Sequence, residues 1–122
     1  MTPDIDTDSE SWWAAIKDGT LMVNHCRSCD RNSLYPRPFC PHCWSEDVAL
    51  EPASGRGRLY TWSVIRPAGG DPYVVAMIDL DEGPRVMSAV VDCDPADLAA
   101  DLELQVAFRD DDGVRVPVFR PI

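Results

Sequence analysis

The sequence predicts a mainly β chain: a short N-terminal helix, a metal-binding ribbon, and a small five-stranded Greek-key barrel. Three observations carry this. Two CxxC knuckles, Cys26-Arg27-Ser28-Cys29 and Cys40-Pro41-His42-Cys43, stand ten residues apart. Beyond Gly55, five strand-like runs alternate with Gly-, Pro- and Asp-rich turns. Helical spacing of apolar residues, opened by a cap and closed by a glycine, occurs near the N-terminus. At 122 residues and 13.6 kDa the chain has room for one compact domain, or a small module and one domain, and little room for a large catalytic core.

Charge narrows the function classes. Eleven Lys and Arg against 21 Asp and Glu give a formal −10, and Lys17 is the only lysine. Such a field repels nucleic-acid phosphate and anionic membranes unless a local basic patch overrides it, and no long basic run is present. No segment approaches the ~18 apolar residues of a membrane span, and residues 1–10 are acidic where a signal peptide is basic and then apolar. The chain reads as cytoplasmic.

In chain order, residues 1–7 form an acidic tail expected to fray. Thr7-Asp8-Ser9-Glu10 has the capping-box pattern, Trp12, Trp13 and Ile16 follow at helical spacing, and Gly19 supplies the C-terminal cap. A helix this short is marginal alone, so its two tryptophans bury either in the chain's own core or against a partner subunit, where Trp is a favoured anchor. Thr20–Asn24 is expected as a strand leading into the first knuckle. The module boundaries drawn from these signals are 1–19 for tail and helix, 20–50 for the ribbon and 51–122 for the barrel.

Reduced cytoplasmic thiols in paired CxxC motifs are metal ligands more often than disulfides. Cys26, Cys29, Cys40 and Cys43 can close a tetrahedral sphere and leave no site for water, which describes a structural zinc rather than a hydrolytic one. A rubredoxin-like iron electron carrier uses the same ligands and is the redox alternative. Asp30 and Trp44 occupy the positions after each second cysteine, where Gly is usual. The second knuckle is therefore expected either to distort or to use Trp44 as a shield for the metal. His25 and His42 flank the ligands and are read as neighbours of the site. Cys93, among acidic residues, reads as a small buried apolar group rather than a nucleophile.

Glu51-Pro52-Ala53-Ser54-Gly55 marks a turn-rich boundary. The strand-like runs are 58–66, 73–80, 85–91, 104–109 and 114–120, with one or two helical turns expected within 95–102. Five short antiparallel strands with one insertion fit an OB-type barrel. Gly55 and Gly57 sit where its first strand must bend. A ribbon followed by such a barrel also fits a single-stranded nucleic-acid module, with Tyr60, Trp62 and Tyr73 as stacking residues. Core packing is the default for aromatics on strands, however, and the net charge opposes phosphate. Arg56, Arg58 and Arg66 are the candidates for a small anion-contacting cluster.

The run Ser11-Trp12-Trp13-Ala14-Ala15, both knuckles with Tyr35-Pro36-Arg37-Pro38-Phe39 between them, and Ser54-Gly55-Arg56-Gly57-Arg58-Leu59-Tyr60-Thr61 resemble the acyl-CoA-associated family that joins a rubredoxin-like zinc ribbon to an OB fold. Asp71-Pro72-Tyr73-Val74-Val75-Ala76, Leu80-Asp81-Glu82-Gly83-Pro84-Arg85 and Val90-Val91-Asp92-Cys93 resemble its later strands. The resemblance implies a non-catalytic accessory subunit of a thiolase-like or lipid-transfer-protein-like partner, or of a hydratase. It also implies structural Zn2+ and help in holding acyl-CoA for carbon–carbon bond formation or cleavage. On that reading Arg56, Arg58, Arg66, Trp12 and Trp13 contact acyl-CoA or the partner. The residues agree on one point: no Ser/His/Asp grouping and no paired carboxylates are recognisable, so no catalytic residue is assigned.

Overall fold

The computed structural model describes residues 5–122, so residues 1–4 of the predicted tail lie outside the described residues. Helix α1 covers Glu10–Lys17. Its capping box forms one residue earlier than Thr7–Glu10 predicts. Asp6 Oδ1 accepts from Ser9 N at 2.9 Å, while Asp6 N donates to Ser9 Oγ at 3.1 Å. The Ser9 N–H holds the Asp6 carboxyl below its ordinary pKa. The other end follows expectation. Gly19 takes φ +85°, its N–H bonds to Ile16 O at 2.9 Å, and Thr20 N bonds to Ala15 O at 2.9 Å, the paired bonds of a Schellman stop.

Because that stop uses the Thr20 N–H, the first strand begins later than expected: β1 is Met22–Cys26 and ends on the first ligand. β2 (Asn32–Ser33) pairs with one edge of β1, and β3 (Val48–Pro52) pairs with the other from Met22↔Pro52 to Cys26↔Val48. The sequence alone predicts a turn at Glu51-Pro52. Here both extend the strand, with Pro52 at its terminus, where a missing N–H is tolerated.

The barrel strands are β4 (Arg56–Ile65), β5 (Tyr73–Leu80), β6 (Arg85–Val90), β7 (Glu103–Asp111) and β8 (Val114–Pro121), closed in the order β4-β5-β6-β8-β7. The expected helical turns within 95–102 reduce to one 3-10 turn, Pro95–Asp97, capped by Asp94 Oδ1 accepting from Ala96 N at 3.0 Å. Closure is uneven. β7 and β8 pair along their whole length, but β6 meets β8 in a single parallel pair, Val90↔Phe119. Farther along that seam, Pro117 has no N–H to offer, and Ser88 Oγ donates to Pro117 O at 2.9 Å. Trp12, Trp13 and Tyr35 line a cavity of about 210 Å³ over this seam.

One core joins all parts: Trp12 and Ile16 from α1 and Leu21 and Val23 near β1 pack with Leu59, Ile78, Leu104 and Phe119 of the barrel. Gly57 pairs with Leu80 of β5 and with Leu104 of β7, so β4 is flanked on both sides there. A Cβ at Gly57 would lie 2.7 Å from the Asp79 carbonyl oxygen and 2.9 Å from Ile78 Cγ2. Backbone cannot swing aside as a side chain can, so Gly57→Ala should destabilise by about 1–3 kcal/mol, read from the urea midpoint at unchanged m-value. An unshifted midpoint would show that the barrel relaxes freely at its closure.

Candidate functional site

The four thiols predicted as ligands converge. Cys26, Cys29, Cys40 and Cys43 place their sulfurs all within 4.8 Å of one another, with Cys26 Sγ 3.6 Å from Cys43 Sγ and Cys29 Sγ 3.7 Å from Cys40 Sγ. A tetrahedron with Zn–S bonds of about 2.3 Å has S···S edges of about 3.8 Å. The donor set therefore fits a structural zinc ion, and four sulfurs leave no position for substrate.

Each knuckle is shaped by the same local bonds. Asp30 N donates to Cys26 O and Trp44 N to Cys40 O, both at 2.9 Å, with φ +60° at Asp30 and +66° at Trp44. The second knuckle is thus not distorted despite lacking Gly. Trp44 is also not a lid: it stays 73% exposed, its ring stacked on Phe39 at 5.2 Å. Burial opposes ionisation of Cys40, but backbone N–H groups of Cys43 and His42 and the neighbouring thiols outweigh it and bring that thiol down to about 7. Burial dominates at Cys29 and pushes it up to about 12. Without a cation the cluster does not hold four thiolates side by side, and a divalent ion supplies the charge that allows it.

Neither histidine enters the thiol cluster. Asn32 Nδ2 donates to Glu82 O at 2.9 Å, which leaves its Oδ1 to accept from His25 Nδ1 at 2.7 Å, and His25 Nε2 lies 3.3 Å from Asp30. His42 is exposed, with its backbone N–H 3.3 Å from Cys40 Sγ. Cys93 packs half-buried against the core, and burial followed by Asp97, Asp94 and Asp92 pushes its thiol up.

The remaining site candidates separate. Trp12 is buried in the chain's own core, its Nε1 donating to Met22 O at 2.9 Å, so only Trp13 of the pair presents surface. Arg56 and Arg58 are exposed on one side of β4, Arg58 being 3.5 Å from Glu103. Arg66 lies just past the opposite end of that strand, roughly 25 Å away at ~3.3 Å per residue, so the expected three-arginine cluster does not form. Core packing also fails as the default for Tyr60 and Tyr73, which are 50% and 52% exposed. Tyr60 falls at a bulge between Leu59 and Thr61 and carries the Arg85 guanidinium 3.6 Å from its ring centroid. Among the described residues, no helix is long and apolar enough to cross a membrane.

Residues 13–49 match the family described as "ChsH2, rubredoxin-like zinc ribbon domain", and residues 50–109 match "ChsH2, C-terminal OB-fold domain". A "DUF35 domain-containing scaffold protein" of Methanocaldococcus jannaschii is 34% identical over 84% of this chain and 81% of its own length. A "Probable enoyl-CoA hydratase alpha subunit" of Thermomonospora curvata is 33% identical over 98% of this chain, which spans only 39% of that longer protein. Among solved structures, a chain of an "Ltp2-ChsH2(DUF35) aldolase" superposes with a TM-score of 0.85 at 33% identity, covering 98% of both chains. With its four-thiol ribbon and closed five-stranded barrel, the chain belongs to the ChsH2/DUF35 family of zinc-ribbon and OB-fold proteins.

Proposed function

We propose that this protein is a cytoplasmic, non-catalytic accessory subunit that assembles with a thiolase-like aldolase or thiolase, or with a hydratase, and helps hold acyl-CoA during carbon–carbon bond formation or cleavage. The observation that carries the reading is the end-to-end likeness to a chain of the Ltp2-ChsH2(DUF35) aldolase. The name of the enoyl-CoA hydratase relative supports the acyl-CoA class.

Within this reading, residues 20–50 form the ribbon module and 51–122 the barrel module, and Cys26, Cys29, Cys40 and Cys43 hold Zn2+ as a staple. The ion contributes folding energy rather than chemistry. Trp13 is the tryptophan available to the partner. Arg56 and Arg58, about 7 Å apart as alternate residues of one strand, supply charge for a CoA phosphate that the acidic protein otherwise repels.

The test is a pull-down of the tagged chain from its own cell extract, followed by acyl-CoA titration of the isolated chain and of the complex. The expected outcome is recovery of a thiolase-fold or hydratase subunit, with acyl-CoA bound tightly by the complex alone and more weakly when Arg56 is replaced by Ala. Recovery of nucleic acid instead would replace this reading with the single-stranded nucleic-acid module.

A further inference from the structure

β5 is written as a strand buried on both faces. Six consecutive non-polar residues run from Tyr73 to Ile78. Val74, Ala76 and Ile78 point into the barrel, whereas Tyr73, Val75 and Met77 alternate outward. A strand with one solvated face ordinarily alternates apolar with polar residues, and a continuous apolar run is the pattern of a strand covered on both sides.

The cross-strand register extends the pattern. Met77 is flanked by Thr61 of β4 and Met87 of β6, and Val75 by Ser63 and Ala89. Tyr73 pairs with Ile65. These rows hold no charged residue, in a chain where 26% of residues are charged. Met87 is 67% exposed and Tyr73 about half. Charge returns one row farther along, at Arg58–Asp79–Arg85, where it is already paired. Arg85 Nε donates to Asp79 Oδ1 at 2.6 Å, and Arg58 lies 3.5 Å from Glu103. The uncharged face runs about 13 Å from Tyr73 to Met77 and is two to three strands wide, the scale of a small interface core with a polar rim.

We infer that the outer face of β4–β5–β6, centred on Tyr73, Met77 and Met87, is the surface that the acyl-CoA enzyme subunit covers. This rests on the function proposed above and adds to it the place of contact. Electrostatics selects this occupant. A second copy would bring another formal −10 against the first, a like-charge approach that costs affinity and slows encounter. Nucleic acid would meet three rows without a cation for its phosphates. A different protein with an apolar patch and a neutral or basic rim meets neither obstacle.

The experiment uses the purified chain and the acyl-CoA enzyme subunit recovered with it. Binding constants are measured for wild type, Met87→Glu, Tyr73→Glu and, on β8 outside this face, Arg120→Glu. A buried carboxylate at an interface centre should weaken binding by at least about 30-fold for each of the first two, while Arg120→Glu stays within about threefold. A second readout needs no variant: peroxide oxidation of Met87 in the wild-type chain should slow by at least about tenfold in the complex. Undiminished binding by both variants with unprotected Met87 would overturn this assignment and leave the accessory function standing. Failure of the wild-type chain to recover any acyl-CoA enzyme subunit would overturn both. A self-dimer or a single-stranded DNA complex disrupted by Met87→Glu would reassign the face to that occupant.

Discussion

Replacing Cys40 by Ser is expected to abolish metal retention and unfold the ribbon while the barrel persists. The wild-type chain should be isolated colourless with one zinc per chain, and visible absorbance would indicate iron instead. The physical basis is that β1, β2 and β3 are short and their knuckles have little apolar surface of their own. The described core draws Leu21, Val23 and Leu34 from this region, and the thiol cluster lies beyond them. A structural zinc supplies on the order of 10 kcal/mol to such a module, more than any single contact replaces. Cys40 is the buried thiol most shifted toward thiolate, so a hydroxyl there loses both the ligand and the N–H groups arranged for sulfur. Because Trp12 is bonded to Met22 O of β1, the near-ultraviolet tryptophan signal should fall with the ribbon, while far-ultraviolet β signal remains. Full zinc content and an unchanged melting curve in the variant would refute the assignment.

Trp12→Ala should destabilise the isolated chain by about 3–5 kcal/mol, the usual cost of deleting a fully buried aromatic. The indole lies where helix, ribbon and barrel meet, with Trp13 edge-on at 4.8 Å and Tyr35 at 5.4 Å, so its removal opens a cavity between three elements. It also leaves the Met22 carbonyl without its donor. Trp13→Ala, at a half-buried position, should cost only about 1–2 kcal/mol. Urea unfolding of the two variants checks the difference. Equal losses would mean that both indoles support the core to the same degree.

Much of the architecture was legible because its signals are local. CxxC spacing brings two thiols to one ion whatever surrounds it, Gly19 reads as a helix stop from the backbone freedom of one residue, and β5 was placed at Tyr73–Leu80 by turn clusters on both sides. The misplacements share a different origin. The capping box shifted to Asp6–Ser9 because two polar pairs competed within five residues, and propensity alone does not rank them. Glu51 and Pro52 looked like a turn, yet β1 offered an edge on which they extend.

Adjacent residues with the same chemistry were the hardest to separate. Trp12 and Trp13 differ by one step of about 100° around a helix, which sends one indole into the core and leaves the other at the surface. Tyr60 emerges because a bulge at Leu59/Thr61 resets the alternation that would otherwise assign its face. Arg66 parted from Arg56 and Arg58 because a continuous ten-residue strand, even with its bulge, holds its ends far apart, whereas a loop of equal length need not. The sequence by itself determined the four-thiol centre, the helix stop at Gly19 and the five barrel strands between their turns, since each follows from covalent spacing, local patterning or one residue's own backbone. Only the tertiary structure decided which aromatics face inward, which arginines are neighbours, and that an uncharged sheet face stands open. Those outcomes depend on how distant segments pack and twist against one another.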